Sequence, residues 1–297
     1  MEQLWQWING IDDWIGSVPV PIGEWAKAAV DWLTGNFEWL FDGITNGLKY
    51  PIEGTADLLK GVPAVLVIVA LAALAHFLQR SWAITAFVVI GLLFIVNQQL
   101  WPDTVETLVL VLYSSFVSLA IGIPIGIVCA RRPWLYQVLS PVLDMMQTIP
   151  TFVYLVPTLV FFGLGMVPGM IATVIFVAPA PIRMTYLGIS QVQKPLIEAG
   201  ESFGCTRWQL LTRVKLPAAL PTIMAGVTQT IMLSLSMVVI AALVGASGLG
   251  VPVIRALAQA DVARGVVAGL CIVILAIALD RILKRPHRKG TLRIPKA

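Results

Sequence analysis

Long apolar runs separated by short polar connections dominate the chain from about residue 61 to residue 283. A helix needs roughly 20 apolar residues to cross a hydrocarbon layer of about 30 Å. Seven stretches meet or approach that length, at about 61–78, 82–99, 104–130, 143–163, 168–188, 219–245 and 264–283. None alternates strictly between apolar and polar positions, so the pattern predicts membrane-crossing helices and not barrel strands. The first two runs are short and close together, which makes six spans the alternative count. The expected fold is an all-α integral membrane protein.

Composition agrees. Hydrophobic residues are 58% of the 297 and charged residues 12%, where soluble domains carry about 25% charged residues. The net charge of +4 and the pI near 9.1 come from Lys and Arg scattered over the connections, without a single basic face. Nucleic acid is therefore not an expected partner, whereas membrane lipid is.

The distribution of those charges predicts an orientation. Fifteen of the twenty Lys and Arg fall in connections on one face: Arg80, Arg131 and Arg132, the stretch from Arg183 to Lys215, and that from Arg281 to Lys296. Cytoplasmic loops are enriched in these residues. An odd number of spans then places the N-terminus outside and the C-terminus, with KRPHRKG, inside. This divides the chain into an external or interfacial segment at 1–60, a transmembrane domain at 61–283 with a cytoplasmic loop at 189–218, and a basic cytoplasmic tail at 284–297.

The first 60 residues hold nine Asp or Glu against three Lys, unlike a cleavable leader, and are expected to be retained. Six of the ten tryptophans lie in the first 50 residues, with Trp25, Trp32 and Trp39 seven apart, close to two helical turns. Trp favours the membrane boundary, so one or two interfacial helices broken near Gly35 and Asn36 are expected. A partner-docking surface or an aromatic cage for a cation are the alternatives.

Little in the chain suggests catalysis. No GxxxxGK[ST] occurs, so ATP hydrolysis through a P-loop is not expected of this chain. Cys129, Cys205 and Cys271 are far apart and lack metal-ligand spacing, and neither His76 nor His287 has a recognisable nucleophile beside it. No metal and no cofactor bound by this chain is expected.

The informative interruption is EAGESFGCTRWQLLTRVKLP, from Glu198 to Pro217. Pro195 suits a helix start, and Glu198 would place its charge near the positive end of that helix. Gly204 can take the positive φ of a helix stop, and Thr206 with Gln209 has capping-box spacing. A second short helix is expected from about Arg207 to Lys215, with Pro217 and Pro221 breaking the chain before the next span. The product would be a helix-Gly-helix knob, either a docking element for another protein or a solvated loop carrying helix caps.

The spacing favours docking. Glu198-Ala199-Gly200, then Gly204, then Val214 and Leu216-Pro217 resembles the EAA loop of ABC importer permeases, with Gly200 in place of the third Ala and Val214 in place of Ile. The runs MQTIPTFVYLVPTLVFFGLG, PAPIRMTYLGI and PTIMAGVTQTIMLSLSMVVIAALVGASGLG extend the similarity from about Thr107 to Arg281, toward permeases for glycine betaine, proline betaine or choline.

The resemblance implies a type I importer permease in the bacterial cytoplasmic (inner) membrane. It implies a homodimer working with cytoplasmic ATP-binding subunits, which hold ATP and magnesium, and with an external substrate-binding protein. Carried onto this chain, Glu198, Ala199, Gly200 and Gly204 would contact the ATPase, and Leu216 and Pro217 would join the knob to the following span.

The pathway is less legible. Gln147, Thr148, Thr151, Tyr154, Gln229, Ser234 and Ser236 could line a polar route, although such groups also bond between packed helices. Asp144 reads first as a boundary or cap residue, and Arg183 as one whose side chain reaches the inner surface. The outer segment GASGLGVPVIRALAQADVARG could meet the binding protein or form a re-entrant loop. An ion-coupled carrier or channel acting alone is the competing class; it calls for ionisable residues deep in the spans or matched broken helices in two repeats.

Overall fold

A computed structural model describes residues 21–283. The basic tail, His287 and the first three tryptophans lie outside the described residues. Among the described residues the chain is helical, with no strand.

The elements are α1 (Ile22–Gly61), α2 (Ala64–Gln79), α3 (Trp82–Asn97), α4 (Trp101–Arg131), α5 (Pro133–Thr148), a 3-10 turn (Thr151–Tyr154) leading into α6 (Leu155–Phe162), α7 (Met166–Ser190), α8 (Lys194–Ser202), α9 (Arg207–Val244), α10 (Gly250–Ala258) and α11 (Val262–Leu283). The chain divides into two compact units after Ile44. In the first, Trp25, Trp32 and Trp39 are exposed. Helical geometry fails there at Phe37 (φ −123°, ψ 20°), one residue beyond the expected break.

In the second unit, α4, α7, α9 and α11 are long and apolar enough to cross a membrane. Counting each bent helix pair as one span brings the total to six, the lower of the two counts expected from the sequence. The seventh expected span is α3, which stands outside that count because its 16 residues make only about 24 Å of helix. α2 has the same length and runs from one end of the bundle to the other. Lys60, just before α2, pairs with Glu106 near the start of α4, while Gln79 at the far end of α2 donates to the Ile282 carbonyl on α11 at 3.1 Å.

Small residues let the central helices meet. A Cβ on Gly126 of α4 would lie 2.6 Å from Thr185 Cβ and 2.7 Å from the Ile182 oxygen on α7, and one on Gly226 of α9 would lie 2.7 Å from Met184 Cβ. Between membrane helices, where burial from water no longer drives association, such close packing and interhelical hydrogen bonds hold the bundle. Ser115 of α4 bonds Ser234 of α9 at 3.2 Å. The Leu249 amide donates to Thr107 Oγ1 at 2.8 Å, pinning the connection after α9 to α4.

The stretch expected as one span at 143–163 is bent, with α5 and the segment Thr151–Phe162 meeting at 102°. Pro150 has no amide hydrogen to give the Met146 carbonyl. The Tyr154 hydroxyl takes its place, donating to that oxygen at 2.7 Å.

Candidate coupling site

The segment between α7 and α9 is built by short-range rules. Pro195 sits in the first turn of α8, as expected. The helix ends in a Schellman arrangement: the Cys205 amide donates to the Gly200 carbonyl at 3.1 Å and the Gly204 amide to the Glu201 carbonyl at 2.9 Å. Gly204 carries φ +77° at the point where that arrangement requires a left-handed residue. Thr206 and Gln209 form the reciprocal capping box, the Gln209 amide donating to Thr206 Oγ1 at 3.3 Å and Gln209 Oε1 accepting from the Thr206 amide at 2.9 Å.

Two expectations change. Glu198 lies beyond the first turn of α8, because the helix already begins at Lys194. The helix from Arg207 does not break before Pro217 but continues to Val244. Its stretch Leu210–Lys215 widens into π geometry, and the Leu216 amide reaches back five residues to the Leu211 carbonyl. In α register, Pro217 would clash with the carbonyl four residues earlier. The wider turn immediately before it relieves that clash, so the knob is continuous with a membrane helix and not hinged to it.

The knob is also braced from within. Gly200 is buried, and a Cβ placed there would lie 2.8 Å from Leu210 Cδ1 and 3.3 Å from Val214 Cγ2. The two departures from the EAA pattern, Gly200 and Val214, thus face one another, each with one carbon fewer than the usual residue. Leu211 packs with Ile189, Ala219 and Ile223 at the base. Glu198 and Ala199 are exposed, and at the tip Phe203 is 89% exposed beside an open Gly204 with exposed Trp208 nearby. A cavity of about 750 Å³ beside the knob is lined by Arg131, Arg132, Arg207 and Lys215, with Glu201 as its acidic member.

The expected pathway residues do not form one set. Ser234 is buried and committed to Ser115, and Tyr154 holds the α5 bend. Gln147 and Gln229 are exposed, and Thr151 is half-buried. Ser236 bonds the carbonyl one turn back, on Met232. Asp144 lies inside α5, not at its boundary, and accepts from Arg183 Nη2 of α7 at 2.5 Å. That pairing joins residues 39 apart, so the sequence offered each charge but no sign of the other.

At the opposite end of the bundle a cavity of about 840 Å³ includes Asp103, Arg255 and Arg264 in its wall. Its rim contains part of the glycine-rich connection, where Gly245 and Gly248 have φ of +85° and +122°.

An all-helical bundle with several apolar spans and a rigid polar knob is the build of a polytopic transport subunit. Residues 122–289 match the profile of the binding-protein-dependent transport system inner membrane component, and the chain belongs to that family. It is a multi-pass inner-membrane transport component, not an enzyme. Its family implies an ATPase and a substrate-binding protein as partners.

Similar proteins include the glycine betaine/carnitine transport permease protein GbuB of Listeria monocytogenes serotype 1/2a (strain 10403S), 46% identical over 91% of this chain and 97% of that protein. The glycine betaine transport system permease protein OpuAB of Bacillus subtilis (strain 168) is 47% identical over 89% and 93% respectively. The glycine betaine/proline betaine permease protein ProW of Escherichia coli (strain K12) is 42% identical over 92% and 77%. Among solved structures, a chain of the MetNI methionine ABC transporter, described as inward facing, matches with a TM-score of 0.54 and 26% identity, over 61% of this chain and 94% of that one.

Proposed function

We propose that this chain is the membrane-spanning subunit of an ATP-driven importer for quaternary amine osmolytes: glycine betaine, proline betaine or choline. The observation that carries the cargo is 46–47% identity across about nine-tenths of the chain to permeases named for glycine betaine. The coupling element is the knob from Glu198 to Pro217. Its exposed Glu198, Ala199, Phe203 and Gly204 meet a separate ATPase that binds ATP and magnesium, with buried Gly200 and half-buried Val214 keeping the knob rigid. Continuity of α9 through Leu216 and Pro217 supports this reading, because a push on the tip reaches the bundle without a hinge to absorb it.

Two copies enclose the route, lipid surrounds them, and an external binding protein delivers the cargo. The knob end faces the cytosol, where most of the Lys and Arg lie, and the end carrying Lys60 faces outward, with the N-terminus on that side. Nucleotide can drive such a cycle only by binding one state of the assembly better than the other, so the membrane subunit needs rigidity more than chemistry.

The test is co-purification with the ATPase followed by uptake of radiolabelled glycine betaine or choline into proteoliposomes. Uptake that requires both ATP and the binding protein supports the reading. Uptake by this chain alone under an ion gradient would overturn it in favour of a secondary carrier.

A further inference from the structure

The helix α5 has faces of different character. Trp134, Val138, Val142 and Met145 are exposed and apolar. A second line, Gln137, Ser140, Asp144 and Gln147, recurs at helical spacing and is polar, with all but half-buried Ser140 exposed. A stripe of this kind is at odds with hydrocarbon and suited to water.

Depth sharpens the point. Asp144 lies about 16 Å of helical rise from Pro133, and Arg183 about 10 Å before the end of α7 at Ser190. The Asp144 side chain is 59% exposed. A charge at mid-membrane costs about 2.5–3.5 kcal/mol on insertion scales and faces protein or water when it occurs. Its uncovered side therefore faces water or a second copy of the chain, not lipid.

Arg183 is incompletely used. One Nη2–H bonds Asp144 Oδ1, while Nε is buried without an acceptor. A guanidinium presents its donors as a fork matched to both oxygens of a carboxylate, and the side chain is 27% exposed. One turn along α7, Tyr186 stacks on Tyr136 of α5, with centroids 3.6 Å apart and planes at 9°. Aromatic faces suit a methylated ammonium, which has no N–H to donate. Cationic and aromatic groups thus neighbour one another on the same pair of helices.

We propose that Arg183 receives the carboxylate of a zwitterionic substrate passing along the polar stripe of α5, exchanging Asp144 for it, and returns to Asp144 when the substrate leaves. This rests on the betaine cargo proposed above. Asp144 is the resting partner that keeps the arginine neutralised between turnovers, and the Tyr136–Tyr186 pair faces the ammonium end. No covalent step is involved.

The test uses the full complex in proteoliposomes with loaded binding protein in excess, comparing maximal uptake of radiolabelled glycine betaine. Co-elution with the ATPase reports assembly of each variant. Arg183→Gln is expected to slow uptake by about tenfold to a hundredfold, the scale of one lost charge-assisted hydrogen bond. Arg183→Lys keeps a point charge without the fork and falls between Arg183→Gln and Asp144→Asn, which leaves the receiving group in place and costs under about threefold.

An ion pair serving structure alone gives the reverse order, Arg183→Lys transporting faster than Asp144→Asn, and that order overturns the proposal. It decides the matter even if Arg183→Gln fails to assemble. A wild-type complex that takes up no betaine overturns the cargo reading and this proposal together, whereas normal wild-type uptake with the reversed order removes only the role of Arg183.

Discussion

Gly200 sits so close to Leu210 that a Cβ on the glycine would come to 2.8 Å of Leu210 Cδ1. This contact closes α8 onto the start of α9 and makes one rigid body of the knob. Leu210 Cδ1 is the far end of a flexible side chain, so a single methyl can be accommodated by a small rotation. Gly200→Ala is therefore expected to assemble with the ATPase as the wild type does, at a cost under about 1 kcal/mol. Gly200→Leu has no such escape, with Val214 on its other side, and is expected to lose most ATPase association in a pull-down. Equal association of the two variants would show that the contact does not brace the knob.

The Tyr154 hydroxyl should matter through the one oxygen it serves. Tyr154→Phe leaves the Met146 carbonyl, already without a donor because of Pro150, unpaired inside the bend. An unsatisfied buried carbonyl costs about 1–3 kcal/mol. The expected outcome is a lower apparent melting temperature of the detergent-solubilised chain. An unchanged melting temperature would mean that another donor or water serves Met146.

Gly126 tests the packing of α4 on α7. A Cβ there would meet the Ile182 carbonyl oxygen at 2.7 Å, and backbone cannot rotate away as a side chain can. Gly126→Ala is expected to destabilise the bundle by about 1–3 kcal/mol, seen as earlier aggregation on heating. Gly269, with nothing within 4 Å of its would-be Cβ, is the matched control and should tolerate Ala. Loss of stability at Gly269 but not at Gly126 would contradict the packing described.

How far the sequence could be read depended on the range of each interaction. Pro195, Gly204 and the Thr206–Gln209 box act within one or two turns, and each is where local rules put it. The continuity of α9 was missed because the relief of Pro217 comes from a change of helical register, which residue preferences do not encode. The short reach of α2 and α3 follows from apolar content being easier to see than helix ends, here set by Pro63 and by Arg80 at φ +50°.

The coupling site was legible as a spacing but not as a contact, since Gly200 meets Leu210 and Val214 only after the chain folds back at Gly204. The pathway was hardest. Ser234 and Tyr154 looked like lining residues by type, and their partners, Ser115 and the Met146 carbonyl, show them occupied elsewhere. Asp144 and Arg183 looked like boundary charges until their pairing joined two helices.

The central claim is that force enters through the knob, and Gly204 tests it most directly. Its φ of +77° and open surroundings mean that Gly204→Arg both strains the turn, by about 1–2 kcal/mol, and places a bulky charge at the contact face, while leaving the membrane helices untouched. ATP-driven uptake of glycine betaine into proteoliposomes is the measurement. The account predicts a variant that inserts in the membrane at wild-type levels but takes up no substrate above the ATP-free background. Wild-type uptake by Gly204→Arg would contradict it.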